Sequence, residues 1–239
     1  GPVLRNTFSD CEVFLMKRTH GGDWAAFHRE YGTLPVDFSA SISPLGLPAG
    51  VRDAAAAALD LAERYPDPPC TQLRAAMSER FSIPEEAVVF GNGAADLIYR
   101  IVFLVRPGKA LVAAPSFTEY EQALSLCGCS IGRILCRPED GFILPASAAD
   151  AITRETDMVF LCNPNNPTGR FIPTDILEAV LQKCSETGSL LVLDECFLPF
   201  SPAESAHTLT DRLLTSPQLI VLRAFTKIFA MPGLRLGAA

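Results

Sequence analysis

The chain has 239 residues, 49% of them hydrophobic and 20% charged, with a net charge of −7 at pH 7. That mixture suits one compact α/β domain, alone or with an appendage, whose core is large enough to fold. An acidic balance without basic blocks speaks against nucleic acid or an anionic membrane as the partner, and no apolar run reaches the roughly 18–20 residues of a membrane span.

No signal-peptide pattern is read at the start. Eight cysteines are spread along the chain, several inside apolar runs such as MVFLC and VLDEC. They read as small core hydrophobes in a reducing, cytoplasmic setting. The CGC at 127–129 is isolated, and His20, His28 and His207 lack ligand spacing, so no metal site is expected.

In chain order, residues 1–48 are rich in Gly and Pro (HGGDW, SISPLGLP) and predict an irregular N-terminal arm. Residues 49–239 predict the main domain. VRDAAAAALDLAER (51–64) predicts an Ala-rich helix stopped by YPDPP, and TQLRAAMSERF (71–81) predicts a second. Short apolar runs then follow as strand candidates: AVVF, ALVAA, MVFLC, SLLVLD and LIVLR. Helical segments near 94–105, 118–127, 173–186 and 208–214 separate them. Continuous apolar strands alternating with helices predict a three-layer fold, a mainly parallel sheet covered on both faces. The chain stops at GLRLGAA, just after an apolar segment punctuated by glycine, and more protein is expected to follow.

In open α/β sheets ligands bind at the carboxyl ends of the strands. GNGAAD follows the first run, PSFTEY the second, NPNNPTG the third, DECF the fourth and AFTK the fifth. Each has an ordinary structural explanation when taken alone. Lys227 is a cation in an apolar stretch; as a snorkelling side chain it is unremarkable, but desolvation lowers a lysine's pKa and makes a nucleophilic amine. Asp194 ends the most hydrophobic run, as a helix N-cap or as a carboxylate able to pair with a pyridinium nitrogen. Gly91 and Gly93 flank a strand-to-helix turn where the N–H groups of Gly93, Ala94 and Ala95 suit an anion. NPNNPTG is a rigid turn able to aim Asn166, Phe117 can stack on a planar ring, and Arg235 calls for an anionic partner. No G-x-G-x-x-G or Walker A pattern exists, which argues against a dinucleotide or ATP. All of these residues at successive strand ends make a site the better reading.

The order GNGAAD, PSFTEY, NPNNPTG, DECF, TKIFAMPGLRLG resembles the fold-type I pyridoxal-phosphate enzymes of the aminotransferase class I/II group, over most of the chain. HGGD, DFSASISPLG and ERYPD are most similar to a decarboxylase type within that group, acting on a phosphorylated amino acid, with an aminotransferase type as its near relative. The resemblance implies that Lys227 forms the Schiff base with pyridoxal 5'-phosphate and that Asp194 pairs with its ring nitrogen. It implies that Asn166 holds the ring hydroxyl, that Phe117 stacks on the ring, and that Gly93, Ala94, Thr226 and Arg235 hold the phosphate. Tyr65 would reach the cofactor of a second subunit in a homodimer, and His20 and Ser41 lie where the decarboxylase type meets its substrate.

The chain departs from that pattern at four places. Phe197 stands where the aminotransferases carry a tyrosine, which favours decarboxylation. Ala224 stands where a phosphate-binding serine or threonine is usual, and Ser41 and Ser43 replace asparagines. The family's smaller C-terminal domain is absent from this chain. Two other readings stay open from the residues: an aminotransferase, and a chain that keeps the cofactor fold without catalysis.

Overall fold

The computed structural model describes residues 21–239, and the chain divides into two compact units between Ser41 and Ile42. In the first unit a helix α1, Trp24–Tyr31, lies where an irregular arm was expected. The Asp23 carboxylate accepts the Ala26 N–H at 2.9 Å to start it, and Gly32 ends it in the left-handed conformation. Asp37 then ties two sequence motifs together. It accepts the Trp24 indole N–H at 2.6 Å and the Ser39 N–H and hydroxyl at 2.7 and 2.6 Å, while Ser39 Oγ accepts the Gly22 N–H at 2.9 Å.

The second unit runs α2 (Ala49–Ala58), α3 (Thr71–Phe81), β1 (Phe90–Asn92), α4 (Gly93–Val105), β2 (Lys109–Ala114), α5 (Thr118–Leu126), β3 (Ser130–Leu135), β4 (Met158–Cys162), α6 (Thr174–Thr187), β5 (Leu190–Asp194), α7 (Glu204–His207), β6 (Leu219–Ala224), α8 (Phe225–Ile228) and β7 (Leu236–Ala238). Among the described residues the seven strands form one sheet in the order β1-β7-β6-β5-β4-β2-β3. Strands β2 to β6 run parallel, and β7 is antiparallel to both β6 and β1.

The expected three-layer, mainly parallel architecture is the one observed, because side chains alternate across each strand. From β4, Val159 and Leu161 join a core with Leu177, Val180, Leu181 and Cys184 of α6, whose i, i+3, i+4, i+7 spacing makes one apolar stripe. Met158, Phe160 and Cys162 point the other way, into a second core with Leu97, Ile98 and Val102 of α4 and Tyr120 and Leu124 of α5.

Several boundaries differ from expectation. AVVF does not form a four-residue strand: Glu85–Ala87 is a single 3-10 turn and the ladder starts at Phe90, extended by reciprocal backbone bonds between Val89 and Ala239 at 2.9 Å. The helix expected over 51–64 gives way at Ala58 to a 3-10 turn, Leu59–Leu61. In place of a helix over 208–214 there is the short α7 and a 3-10 turn at Thr210–Arg212. Buried Glu195 anchors the backbone there, accepting the Leu209 N–H at 3.0 Å. β3 and β7 were not expected. Gly132 and Arg133 interrupt the apolar run of β3, an edge strand, and β7 is three residues long.

Candidate active site

The carboxyl ends of β2, β4, β5 and β6 lie side by side, and the loops that leave them carry most of the residues picked out above. Cys162 and Asp194 are register partners on β4 and β5, and the Asn163 N–H donates to the Asp194 carbonyl at 2.8 Å. Asp194 shares the parity of Val192, so its side chain enters the α4/α5 side of the sheet. It is buried at 4% exposure. Oδ1 accepts the Cys196 N–H at 2.9 Å and Oδ2 accepts the Tyr120 hydroxyl at 2.7 Å.

Phe117 starts α5 and meets the Tyr120 ring edge-on, centroids 5.6 Å apart at 78°. Its loop is braced from NPNNPTG by Asn165, which accepts the Ser116 hydroxyl at 2.9 Å and donates to the Pro115 carbonyl at 2.9 Å and to the Thr168 hydroxyl at 2.9 Å. Asn163 is equally structural, donating to the His207 carbonyl and accepting the Ile172 N–H. Asn166 is only partly buried, and just before it the Cys162 thiol donates to the Pro164 carbonyl at 3.3 Å.

Lys227 sits in the single turn α8 that leaves β6, half-buried. Its carbonyl accepts the Ser43 N–H at 3.0 Å. Burial pushes its amine below the ordinary lysine range; the Cys196 thiol opposes this and the Arg235 guanidinium adds to it. The Cys196 thiol is pushed well up by burial and then by Asp194, with Lys227 acting the other way. One residue thus feels both the candidate amine and the candidate acid. Thr226 beside it is buried.

The turn GNGAAD opens α4. Gly93 has φ +81°, and a Cβ there would lie 2.7 Å from Arg235 Nη2. A Cβ on Gly237 of β7 would lie 2.5 Å from the Ala94 nitrogen and 2.6 Å from the Gly93 carbonyl carbon. Two glycines therefore let β7 and the Arg235 guanidinium close onto the first turn of α4. Arg235 donates to the Pro232 and Asn92 carbonyls at 3.2 and 3.3 Å, and no side chain caps the helix start. Five guanidinium N–H groups exceed what two carbonyls take up. With the helix N-terminus, this is a donor set suited to an anion.

The structure therefore links Phe117 to Asp194 through Tyr120, has Cys196 feel both Asp194 and Lys227, and brings Arg235 against Gly93 at the first turn of α4. Tyr65 has a fully exposed side chain. Ser41 is exposed and belongs to the first unit, and His20 lies outside the described residues. Sequence reading missed Tyr120, although it stands three residues after Phe117, one helical turn on; nothing in its flanking residues, Glu119 and Glu121, announced a hydroxyl aimed at Asp194. Glu195 and Arg223 were also missed. Arg223 Nη2 donates to Glu195 Oε2 at 2.6 Å with both side chains buried, a pair that carries the shape of the β5 and β6 ends. Among the described residues no three His, Cys, Asp or Glu side chains converge on a metal position, and no helix is long and apolar enough to cross a membrane.

These are the features of a doubly wound α/β protein with a preformed polar site at its strand ends. The chain belongs to the aminotransferase class I and II family, whose model matches residues 35–239. It is 37% identical over 226 residues to the threonine-phosphate decarboxylase of Salmonella typhimurium, covering 93% of this chain and 62% of that protein. It is 36% identical over 204 residues to histidinol-phosphate aminotransferase 2 of Ralstonia nicotianae, covering 84% of this chain and 54% of that one. The fold matches the histidinol-phosphate aminotransferase of Sinorhizobium meliloti, solved in complex with pyridoxal-5'-phosphate, with a TM-score of 0.82 at 24% identity over 91% of this chain and 59% of that one. The chain thus spans less than two thirds of each of these proteins.

Proposed function

We propose that this chain is the cofactor-holding part of a pyridoxal 5'-phosphate enzyme of the L-threonine-O-3-phosphate decarboxylase type, a cytoplasmic homodimer serving cobalamin biosynthesis. The observation that carries the proposal is the half-buried Lys227 amine, which burial pushes below the ordinary lysine range and on which Cys196 and Arg235 both act. The match to the Salmonella typhimurium decarboxylase over 93% of the chain supports the reaction type.

The residues present fit this cofactor by their chemistry: a cationic cradle for a phosphate, a desolvated amine, and a buried acid. Pyridoxal phosphate, when bound, supplies a cationic ring that takes up the electrons left at a substrate's α-carbon. Lys227 offers an amine that burial keeps close to its neutral, nucleophilic form. Asp194 offers a carboxylate oriented by one N–H donor, from Cys196, and one O–H donor, from Tyr120, and suited to pair with a ring nitrogen. Arg235, Thr226 and the amides of Gly93 and Ala94 would grip the phosphate; Phe117 would cover the ring and Asn166 bond its hydroxyl. Fully exposed Tyr65 is free to reach a second subunit, and His20 and Ser41 would meet the substrate.

An aminotransferase of the histidinol-phosphate type is the second reading, supported by the 36% match to the Ralstonia nicotianae protein. Phe197, stacked near Phe200 with centroids 6.3 Å apart, has no hydroxyl to offer a ring oxygen and favours the decarboxylase. Borohydride reduction of the protein mixed with pyridoxal phosphate, followed by peptide mass analysis, tests the site. One label per chain on the Lys227 peptide is expected, and none in Lys227→Ala; a label that persists in the variant refutes the assignment. Release of CO2 from O-phospho-L-threonine, against keto-acid formation when an α-keto acid is supplied, separates the two reactions.

A further inference from the structure

We infer that Tyr120 is a positioning residue for the reaction: it locks Asp194 in place and couples it to the wall against which the cofactor ring would lie. The inference rests on the cofactor reading above.

Tyr120 is completely buried, and its hydroxyl donates to Asp194 Oδ2 at 2.7 Å across 74 residues of sequence. Its ring is stacked on Phe160 of β4, centroids 4.9 Å apart and 11° from parallel, and meets Phe117 edge-on. A single side chain thus touches both the candidate stacking residue and the candidate acid. The Asp194 carboxylate takes one donor on each oxygen, the Cys196 N–H on Oδ1 and the tyrosine on Oδ2. Two donors on different oxygens fix both the position and the plane of the carboxylate, and each oxygen keeps a second lone-pair direction for a further partner.

The titratable groups facing this pair are few. Cys162 comes from β4, Cys196 follows β5, and Lys227 acts on Cys196. Burial, then the Asp194 charge, pushes the Tyr120 hydroxyl well above the ordinary tyrosine range, so it remains a neutral donor. Removing that donor raises the carboxylate's proton affinity. A proton shared between Asp194 and a ring nitrogen then moves toward Asp194. A tyrosine that only filled the core would change stability and leave that proton where it was.

The test uses the full-length holoprotein loaded with pyridoxal phosphate labelled with 15N in the ring. Tyr120→Phe, with an unchanged circular dichroism spectrum, is expected to move the ring-nitrogen signal from the pyridinium position toward that of neutral pyridine. It is expected to lower kcat roughly ten- to a hundredfold, the worth of one hydrogen bond to a charged group, and to change KM by less than about threefold. In an Asp194→Asn background the same substitution should add less than about twofold, because the group it acts through is gone. A signal and a kcat unchanged in Tyr120→Phe overturn the inference and leave the cofactor reading intact. A wild-type protein with no bound cofactor and no borohydride label at Lys227 overturns the cofactor reading itself. If Tyr120→Phe does not fold, 3-fluorotyrosine at position 120 serves instead. Its more acidic hydroxyl should drive the signal further toward pyridinium, and an unmoved signal overturns the inference.

Discussion

Arg223 on β6 and Glu195, the residue that follows β5, form a buried ion pair, Nη2 to Oε2 at 2.6 Å, with side-chain exposures of 7% and 0%. The pair is fully dressed. Glu195 also accepts from the Thr208 hydroxyl and the Leu209 N–H, and Arg223 donates to Glu204 and lies 4.7 Å over the Phe81 ring. Because Glu195 is next to Asp194, the network fixes the backbone on which the candidate acid stands. Breaking such a pair from one side leaves an uncompensated buried charge, which costs about 3–5 kcal/mol. Arg223→Ala should therefore lower the unfolding free energy obtained from urea titration by that amount, and Glu195→Gln by less, since Arg223 keeps Glu204 as a charged partner. Equal midpoints for wild type and Arg223→Ala would show that the network contributes nothing.

The close approach of β7 to α4 predicts a contrast among glycines. In Gly237→Ala the new methyl meets backbone atoms of Gly93 and Ala94 that cannot yield, so about 1–3 kcal/mol of stability should be lost. Gly93→Ala meets a movable guanidinium but needs φ +81°, and should cost over about 1 kcal/mol and displace Arg235. Gly233→Ala has open space and should stay within about 0.5 kcal/mol. Thermal melts rank the three. Pyridoxal phosphate affinity should fall with the first two alone.

Lys227 sets a pH dependence of known sign. Its folded-state pKa lies below the unfolded value because burial disfavours the ammonium. At pH values below both, the folded protein bears the full cost of burying a cation. As pH rises from the folded pKa to the unfolded one, the unfolded chain binds more protons and stability increases. Lys227→Met should consequently stabilise the cofactor-free protein near pH 7, with an advantage that shrinks as pH climbs toward 10.5. Denaturant titrations at a series of pH values check this; an advantage that grows with pH would contradict it.

Asp37 gives an acid transition with a built-in reporter, because Trp24 is the sole tryptophan. The Ser39 hydroxyl, then the Trp24 indole, hold this carboxyl at about 2, below its ordinary 3.8. The bonds belong to the carboxylate, so they are complete above pH 3.8 and are lost as pH falls through about 2. Tryptophan emission should shift with a midpoint near the lower value. Asp37→Asn should show the altered emission already at neutral pH and no acid transition of its own.

The sheet was legible because its strands are continuous apolar runs bounded by glycine, proline and asparagine, and each such run can be buried only between two helical layers. β3 and β7 escaped because an edge strand with Gly132 and Arg133, and a three-residue strand, owe their pairing to neighbours rather than to their own pattern. The 208–214 segment escaped for a related reason: Glu195, outside the segment, holds the Thr208 hydroxyl and the Leu209 N–H, a contact that the local pattern does not contain.

At the site, the local chemistry of the strand ends was written in the chain: a lysine in an apolar run, an acid closing the most hydrophobic strand, and glycines at a strand-to-helix turn. Those choices are local, since each follows from what one short segment can bury or bend. Only the tertiary structure decided which hydroxyl reaches Asp194, that Cys196 feels both the acid and the amine, and that Gly237 must be bare for β7 to close on α4. These depend on side-chain direction and on distances of a few ångströms between segments far apart in sequence, and such distances are set by packing, which no single segment contains.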